Sequence, residues 1–329
     1  MNFSQAEHGG ADGGPPVEHD FSTNASPLGP PPALMSAVQQ ADRTAYPDPH
    51  YAALRRRLGE AHAADPALLL PTAGGAEGIR RLTLAAMLAG RREVWLPQPG
   101  FGDYAAAALA LGLTVRPYAE PADIRPTAAA LVWICEPCNP TGASAATWPD
   151  LGDHLVAVDR AYEPLRLDGD APALPPGAWQ LICPNKALGL TGIRAGYLIA
   201  PGADAVWQHA SALAPSWVLS AEGVAMLSHW HDDATAAWLA GTRAQLREWT
   251  AAQRAMLAAL DWQQRPTSTN FWLARPPRRD IDTRLHESGI RLRDAASFGL
   301  PGWVRVSAQP PAARQALQLA LLEIESEDA

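Results

Sequence analysis

Lys186 is the only lysine among the 26 basic residues of this chain, and the other 25 are arginine. A lysine amine can lose its proton and become a nucleophile that forms Schiff bases, whereas an arginine in a protein keeps its charge. Lys186 follows the apolar run 179–183 and precedes a loop that contains Gly189 and Gly192. The position of Lys186 therefore indicates that this lysine has a chemical role and is not a chance occurrence in an arginine-rich composition.

Two further polar side chains occupy equivalent positions along the chain. Asn139 and Asp159, like Lys186, each follow an apolar run that is predicted to be a strand. Ligands of open α/β sheets bind at the carboxyl ends of the strands, so neighbouring strands would direct all three side chains into one crevice. An acid, an amide and a lysine suit pyridoxal 5′-phosphate (PLP), which needs a lysine for attachment and an acid to keep its ring nitrogen protonated.

The cysteines and histidines give weaker signals. Cys135 and Cys138 have the C-x-x-C spacing of zinc and redox sites, but no second such pair exists, and three cysteines do not make a disulfide framework. His229 and His231 are two residues apart, so they do not share a helix face. We therefore expect no metal site.

Bulk properties limit the possible classes of protein. A length of 329 residues suits a large domain with a smaller partner domain. The net charge of −8 argues against nucleic-acid binding. No apolar run is long enough to cross a membrane, and the N-terminus has no signal-peptide pattern, so we expect a cytoplasmic protein.

Short apolar runs alternate with helical patterns through the first two thirds of the chain, which predicts an α/β fold with a mostly parallel sheet. Strands are predicted at 94–96, 131–135, 155–158, 181–183 and 196–199. Helices are predicted at 32–41, 51–63, 76–89, 104–111 and 203–213.

The pattern changes after about residue 220 and predicts a smaller α+β domain. Long helices at 219–230 and 232–259 precede strands at 269–274 and 303–307 and a last helix from Pro311. We predict an N-terminal segment (1–31) that packs with the small domain, a large PLP-binding domain (32–218) and the small C-terminal domain (219–329).

Together these motifs resemble the aspartate-aminotransferase-type (fold type I) PLP enzymes, and within them the histidinol-phosphate aminotransferase branch. The family pattern K-x(7)-R-x-G-[YF] begins at Lys186 and includes Arg194, D-x-A-Y begins at Asp159, and N-P-T-G begins at Asn139. The resemblance covers nearly the whole chain. It implies an aspartate-aminotransferase-like fold with a large mostly parallel sheet domain and a small α+β domain.

The resemblance also implies roles for individual residues around the cofactor ring. Asp159 corresponds to the partner of the ring nitrogen, Asn139 and Tyr162 to hydrogen-bond partners of the phenolic oxygen, and Tyr104 to the aromatic residue that stacks on the ring. Tyr46 corresponds to a tyrosine that reaches the phosphate of the other subunit's cofactor, which implies a homodimer.

Phosphate binding is assigned by the same resemblance and by helix chemistry. Gly75, Ala76 and Glu77 begin a predicted helix, whose backbone amides can receive a phosphate, and Arg194 supplies a bidentate charge partner. The family usually has serine or threonine where this chain has Cys183 and Asn185, and an Asn185 amide could replace one of those phosphate contacts.

Residues on the substrate side resemble the threonine-phosphate decarboxylase of cobalamin biosynthesis more closely than the aminotransferase. That enzyme has an H-G-G motif, which corresponds here to His8, Gly9 and Gly10, and a D-F-S-x-N-x-N-P-L-G motif, which corresponds to residues 20–29. The resemblance implies that the substrate is a small phosphorylated amino acid. It assigns substrate contacts to His8, Gly9, Asn24, Asn270, Arg293 and Arg305. Ala11 and Ser26 stand where the decarboxylase has asparagine.

Three hypotheses follow for the function. The first is decarboxylation of L-threonine O-3-phosphate to (R)-1-amino-2-propanol O-2-phosphate. The second is transamination of histidinol phosphate or a similar amino donor, and the third is a PLP-binding protein without catalysis. The cofactor motifs alone do not decide among these reactions. The bond that breaks is the one held perpendicular to the ring, and the position of the substrate carboxylate determines which bond that is.

Overall fold

A seven-stranded sheet lies at the centre of this computed structural model, which describes residues 9–11, 13–14, 16–278 and 280–327. The strands of the described residues lie at His19–Asp20 (β1), Leu69–Thr72 (β2), Glu93–Pro97 (β3), Thr114–Tyr118 (β4), Ala130–Cys135 (β5), Leu155–Asp159 (β6), Trp179–Ile182 (β7), Gly196–Ile199 (β8), Gln263–Gln264 (β9), Phe271–Arg275 (β10), Ile290–Arg291 (β11), Arg293–Asp294 (β12) and Val304–Ser307 (β13). The α-helices lie at Pro32–Gln39 (α1), Ala52–His62 (α2), Gly75–Leu88 (α3), Gly102–Ala110 (α4), Ala205–Ala212 (α5), Ala221–Ser228 (α6), Asp233–Ala259 (α7), Ile281–Glu287 (α8) and Pro311–Glu327 (α9).

The large sheet has the order β2-β8-β7-β6-β5-β3-β4. Strands β7, β6, β5, β3 and β4 run parallel, and β8 is antiparallel to both of its neighbours. Alternate residues of β5 enter different apolar clusters, Leu131 and Trp133 on one side and Val132 and Ile134 on the other. Both faces of the sheet are therefore covered, as a parallel sheet requires.

The second sheet is smaller and antiparallel, with the order β12-β13-β10-β9. The N-terminal segment joins this part of the chain through β1, which pairs in parallel with β11. Phe21, directly after β1, is fully buried in an apolar cluster with Trp262 and Trp272. Helix α7 presents a buried stripe at intervals of three and four residues, the spacing of an amphipathic helix.

The predicted elements are confirmed, with shifts of a few residues at their ends, and so are the α/β fold class and the mostly parallel sheet. Strands β2 and β4, helix α8 and the two-residue strands were not predicted. Strands β2 and β4 contain Pro71 and Pro117, which are poor strand residues except at a sheet edge. They are the two outer strands of the large sheet. The division of the chain at residues 31 and 218 stays a prediction.

No helix in the described part of the chain is long and apolar enough to span a membrane.

A buried tyrosine flanked by two histidines joins β8, α2 and the loop before α7. The hydroxyl of Tyr197 lies 2.8 Å from Nε2 of His62 and 3.1 Å from Nε2 of His231. Burial, with a smaller contribution from the neighbouring charges of His231 and Arg160, lowers the pKa of His62 to about 4. Burial also lowers the pKa of His231, so burial disfavours the charged form of both imidazoles.

We predict that His62 makes the fold sensitive to acid. The pKa of His62 is lower in the folded protein than in the unfolded chain. The stability that the neutral imidazole contributes is therefore complete above the unfolded pKa of about 6.5 and is lost as the pH falls towards 4. For this partly exposed side chain we expect about 1–2 kcal/mol of the free energy of unfolding to be lost between pH 7 and 4. Urea unfolding of wild type and His62→Gln at several pH values measures the difference. His50→Gln, on an exposed loop, is the control. Parallel pH profiles for wild type and His62→Gln would contradict the prediction.

Candidate active site

A cavity of about 440 Å³ opens at the carboxyl ends of β5, β6 and β7. The structure places Asn139, Asp159 and Lys186 in its wall, and each of them lies at or just beyond the end of one of these adjacent strands. Parallel pairing in register brings the strand ends together, so three residues that are distant in sequence meet at one edge of the sheet.

Asp159 is a carboxylate held almost completely away from solvent, with 6% of its surface exposed. One oxygen accepts a hydrogen bond from the Tyr104 hydroxyl at 2.7 Å, and the other accepts the backbone N–H of Ala161 at 2.9 Å. Burial raises the pKa of Asp159, while these two hydrogen bonds and the charge of Lys186 oppose the rise. A carboxylate so placed can hold a cationic group that enters the cavity.

Tyr104 is fully buried and lines the cavity above the sheet. Its ring lies against that of Trp133, with centroids 5.2 Å apart and planes 19° apart. The resemblance predicts that Tyr104 stacks on the cofactor ring, and this role stays a prediction. The hydrogen bond to Asp159 was not predicted, and through it Tyr104 positions the carboxylate.

Lys186 and Tyr162 lie side by side in the cavity wall. The Lys186 amine is 5.7 Å from the centroid of the Tyr162 ring, and the Tyr162 hydroxyl accepts a hydrogen bond from Nδ2 of Asn24. Nδ2 of Asn24 also donates to Oδ1 of Asn139 at 3.3 Å. These groups form one connected polar surface beside the amine.

An anion cradle lies at the start of α3. Gly75 and Ala76 line the cavity in the first turn of this helix, and Arg194 faces them. Gly74 has φ +82°, a backbone conformation that favours glycine, and a Cβ there would lie 2.9 Å from the Arg194 guanidinium, which would have to shift. Backbone N–H groups, a helix N-terminus and a guanidinium together suit a phosphate.

Asn185 completes the cradle. It is 1% exposed, and its Oδ1 accepts a hydrogen bond from the thiol of Cys183. Its Nδ2 has no partner among the described residues, although a buried donor without an acceptor costs about 1–3 kcal/mol. Since Asn185 lines the cavity, a bound anion would supply the missing acceptor.

Two arginines form the opposite end of the cavity. Arg293 on β12 and Arg305 on β13 are directly paired across the two strands, and both are buried. Arg305 donates to Oδ1 of Asn139 and to the carbonyl of Ser22, each at 2.6 Å. Burial, with a smaller effect from the charge of Arg293, lowers the pKa of Arg305 to about 10.

The N-terminal glycines lie beside these arginines. Gly9 and Gly10 line the cavity, and the Gly10 N–H donates to the Ser22 hydroxyl at 2.8 Å. A Cβ on Gly9 would lie 2.1 Å from the Ser22 carbonyl oxygen, so a larger residue could not adopt this position. His8 lies outside the described residues.

Three predicted site residues lie away from the cavity of this chain. The Glu77 carboxylate accepts the N–H of Ala73 and pairs with Arg81, so its side chain is not in the cradle, and only its backbone could contact a phosphate. Asn270, the residue before β10, is fully buried and donates to the carbonyl of Asn24, which itself lines the cavity. Tyr46 is 77% exposed and stacks on Trp217 at 4.3 Å.

Phe298 is a cavity residue that the sequence did not reveal. Its ring lies 5.0 Å from the Arg293 guanidinium and 5.8 Å from that of Arg305, and so forms an aromatic surface between the two charges. Phe298 belongs to a short 3₁₀ turn after β12 that no periodic pattern marks.

Comparisons with known proteins agree with this geometry. The sequence model of the family "Aminotransferase class I and II" matches residues 18–319. Histidinol-phosphate aminotransferase of Haloarcula marismortui is 30% identical over 319 residues, covering 87% of this chain and 84% of that protein. Histidinol-phosphate aminotransferase 1 of Thiobacillus denitrificans is 30% identical over 317 residues, covering 87% and 80%.

Solved structures show the same fold. L-threonine-O-3-phosphate decarboxylase from Porphyromonas gingivalis superposes with a TM-score of 0.77 at 21% identity, over 93% of this chain and 99% of that one. Histidinol-phosphate aminotransferase from Sinorhizobium meliloti, in complex with pyridoxal-5′-phosphate, gives 0.79 at 23% identity, over 95% and 92%.

We predict that Asn185→Ala weakens PLP binding by about tenfold, the effect of one lost hydrogen bond to a charged group. Binding of pyridoxal, which lacks the phosphate, should be unchanged, and Asn185→Ser should recover part of the affinity for PLP. Absorbance titration of the apoprotein with each ligand measures the two dissociation constants. Equal weakening of PLP and pyridoxal would show that Asn185 does not contact the phosphate.

We predict that Asp159→Asn lowers kcat by about 100-fold or more while PLP remains bound, because an amide cannot supply the charge that keeps the ring nitrogen protonated. Steady-state kinetics, with cofactor content measured by absorbance, tests this expectation. Asp168→Asn, which alters an exposed carboxylate, is the control. A holoenzyme variant with kcat near that of wild type would refute the role of Asp159.

Proposed function

The chain belongs to the class I and II aminotransferase family, and from this premise we propose that it decarboxylates L-threonine O-3-phosphate to (R)-1-amino-2-propanol O-2-phosphate. The family depends on PLP. In the proposed substrate the carboxylate carbon is bonded to the carbon that bears the amine, and the next carbon bears the phosphate. The product keeps the amine and the phosphate, and the carboxylate leaves as carbon dioxide.

The residues of the cavity fit PLP at both ends of the cofactor. The unpartnered Nδ2 of Asn185 and the cradle at Gly75 suit the phosphate, and the buried carboxylate of Asp159 suits a protonated ring nitrogen. When bound, PLP supplies an electron sink that stabilises negative charge on the substrate carbon next to the amine.

The protein residues supply attachment, orientation and protons. The Lys186 amine is the nucleophile that would hold the cofactor and later return a proton to the carbon that loses carbon dioxide. Asp159 keeps the proton on the ring nitrogen, and the Tyr104 hydroxyl holds that carboxylate in place. Asn139 and Tyr162 would hydrogen-bond the phenolic oxygen.

The paired arginines are the observation that carries the choice of substrate. Arg293 and Arg305 are like charges directly opposite one another on paired strands, an arrangement that is destabilising by itself. Arg293 donates to the Asp294 carbonyl and the Ser297 hydroxyl, and Arg305 donates to Asn139 and Ser22. Two anionic groups in the cavity would offset the repulsion between the two positive charges. Threonine O-3-phosphate carries both of these anions on one small molecule.

The N-terminal segment supports the same choice. Gly9 and Gly10 lie against Ser22 beside Arg305, and Arg291 donates to the Gly10 carbonyl at 2.8 Å. We infer that this segment covers the anionic end of the substrate and excludes water from it. The inferred position agrees with the role that the H-G-G resemblance implies.

Transamination of histidinol phosphate, or of a similar amino donor, is the second candidate. The relatives that are 30% identical carry the name histidinol-phosphate aminotransferase, which favours it. Histidinol phosphate has no carboxylate, so it would bind to only one of the two arginines, and the other would bind a carboxylate of the amino acceptor.

A PLP-binding protein without catalysis is the weakest candidate, because Lys186, Asp159 and Asn139 all line the cavity.

We also propose that the chain forms a homodimer in which Tyr46 reaches the partner subunit's cofactor phosphate. Tyr46 and Trp217 form a stacked aromatic pair that one chain leaves exposed, and such a pair is suited to burial in an interface.

We predict carbon dioxide release from threonine O-3-phosphate without any requirement for a keto acid. Purified holoenzyme is incubated with this substrate, and carbon dioxide and keto acid are assayed together, with and without 2-oxoglutarate. Lys186→Arg, which keeps the charge but cannot attach the cofactor, should show neither product. Keto acid that forms only with 2-oxoglutarate would replace the proposal with transamination, and absence of any turnover would favour the third candidate.

A further inference from the structure

We propose that Cys135 and Cys138 are a redox-active dithiol that a low-molecular-weight disulfide, such as oxidised glutathione, converts to an intramolecular disulfide. This inference goes beyond the proposed function and does not depend on which substrate the enzyme uses. Cys135 is the last residue of β5, and Cys138 lies in the turn that follows, directly before Asn139.

The geometry of the turn places the two thiols against one another. Cys135 donates to the carbonyl of Pro137 at 3.4 Å, and its sulfur accepts the backbone N–H of Asn139 at 3.4 Å. Cys138 donates to the carbonyl of Pro99 at 3.8 Å. Each thiol has one proton, and that of Cys135 is shared between the Pro137 carbonyl and the Cys138 sulfur, so the two side chains face one another within one turn.

The two cysteines differ in ways that suit an attacking thiol and a resolving thiol. The hydrogen bond from Cys135, aided by hydrogen bonds from Thr141, lowers the pKa of Cys138, which is also the less buried of the two. The same hydrogen bond, together with burial, raises the pKa of Cys135. Its greater exposure and its lowered pKa make Cys138 the attacking thiol of this proposal, since a thiolate is the form that attacks a disulfide.

The reaction balances with one disulfide oxidant. The Cys138 thiolate attacks one sulfur of the oxidised glutathione, and a glutathione thiolate leaves. Cys135 then loses its proton to solvent and attacks the Cys138 sulfur of the mixed disulfide, so that a second glutathione thiolate leaves. The two cysteines are oxidised, and one glutathione disulfide is reduced to two thiols.

Formation of the Cys135–Cys138 disulfide would displace Asn139. Its N–H is bound to the Cys135 sulfur, and its Oδ1 accepts a hydrogen bond from Arg305. Drawing Cys138 towards Cys135 moves the next residue of the chain, which is Asn139 itself. Oxidation should therefore disturb both the predicted contact with the phenolic oxygen of PLP and the position of an arginine at the substrate end.

The third cysteine provides an internal reference. Cys183 follows β7, and β6 lies between β7 and β5 in the sheet. Its thiol donates to Oδ1 of Asn185, and burial raises its pKa. It should keep its thiol when the Cys135–Cys138 pair is oxidised.

The test uses holoenzyme, oxidised glutathione and no substrate, so its result is independent of the proposed reaction. After incubation the protein is denatured, alkylated and mapped by mass spectrometry. We expect one alkylated cysteine, Cys183, and loss of two hydrogen masses from the peptide that contains Cys135 and Cys138. Cys138→Ser should keep both of its remaining thiols, whereas Cys135→Ser should trap glutathione on Cys138.

The second measurement is the visible absorption of bound PLP as a function of pH. Loss of a hydrogen bond to the anionic phenolic oxygen should move the titration midpoint of this band to higher pH in oxidised wild type, reversibly with dithiothreitol. Cys138→Ser should show no such change. Three intact thiols in treated holoenzyme, or a disulfide that leaves the band unchanged, would overturn the proposal.

Discussion

Three charged side chains are buried in the wall of one cavity, and the cost of burying them is the constraint on which the site depends. Asp159, Arg293 and Arg305 are each less than a tenth exposed. Moving a charge from water into a protein interior is unfavourable unless the charge is paired and hydrogen-bonded. The hydrogen bonds from Tyr104 to Asp159 and from Arg305 to Asn139 meet part of this need. Arg293 donates to the Asp294 carbonyl and the Ser297 hydroxyl. A bound cofactor would add a cationic partner for Asp159.

The loop that carries Asn139 is held in position by contacts on two sides, and these contacts lie outside the cavity wall. On one side, the buried Glu136 pairs with Arg166 at 2.8 Å. On the other, Gly142 packs so closely on the loop before β10 that a Cβ would lie 2.0 Å from the Thr267 hydroxyl. The large and small sheets are thus joined at the turn that presents Asn139, which makes the position of its amide depend on both.

Much of this arrangement could be predicted from sequence, and the failures have identifiable physical causes. Chain order and strand ends were sufficient to bring Lys186, Asp159 and Asn139 to one crevice, because parallel strands align their carboxyl ends. A motif gives the position of a residue but not the direction of its side chain. The Glu77 side chain pairs with Arg81, which leaves its backbone amide, the group predicted for the phosphate. Asn270 is buried and donates to the Asn24 carbonyl. The outer strands β2 and β4 were not predicted because each contains a proline, which is unfavourable in a strand except at a sheet edge.

The arginine cluster concentrates positive charge at the cavity of a protein whose net charge is −8. Residues 290–293 read Ile-Arg-Leu-Arg, an alternation that places successive side chains on opposite sides of an extended chain. Ile290 and Leu292 enter the apolar cluster that also contains Phe21 and Trp272, while Arg291 and Arg293 face the N-terminal glycines and the cavity. Pairing of β12 with β13 then adds Arg305 to the same face. Because screening by water is weak at a buried site, these few local charges outweigh a distant negative surface.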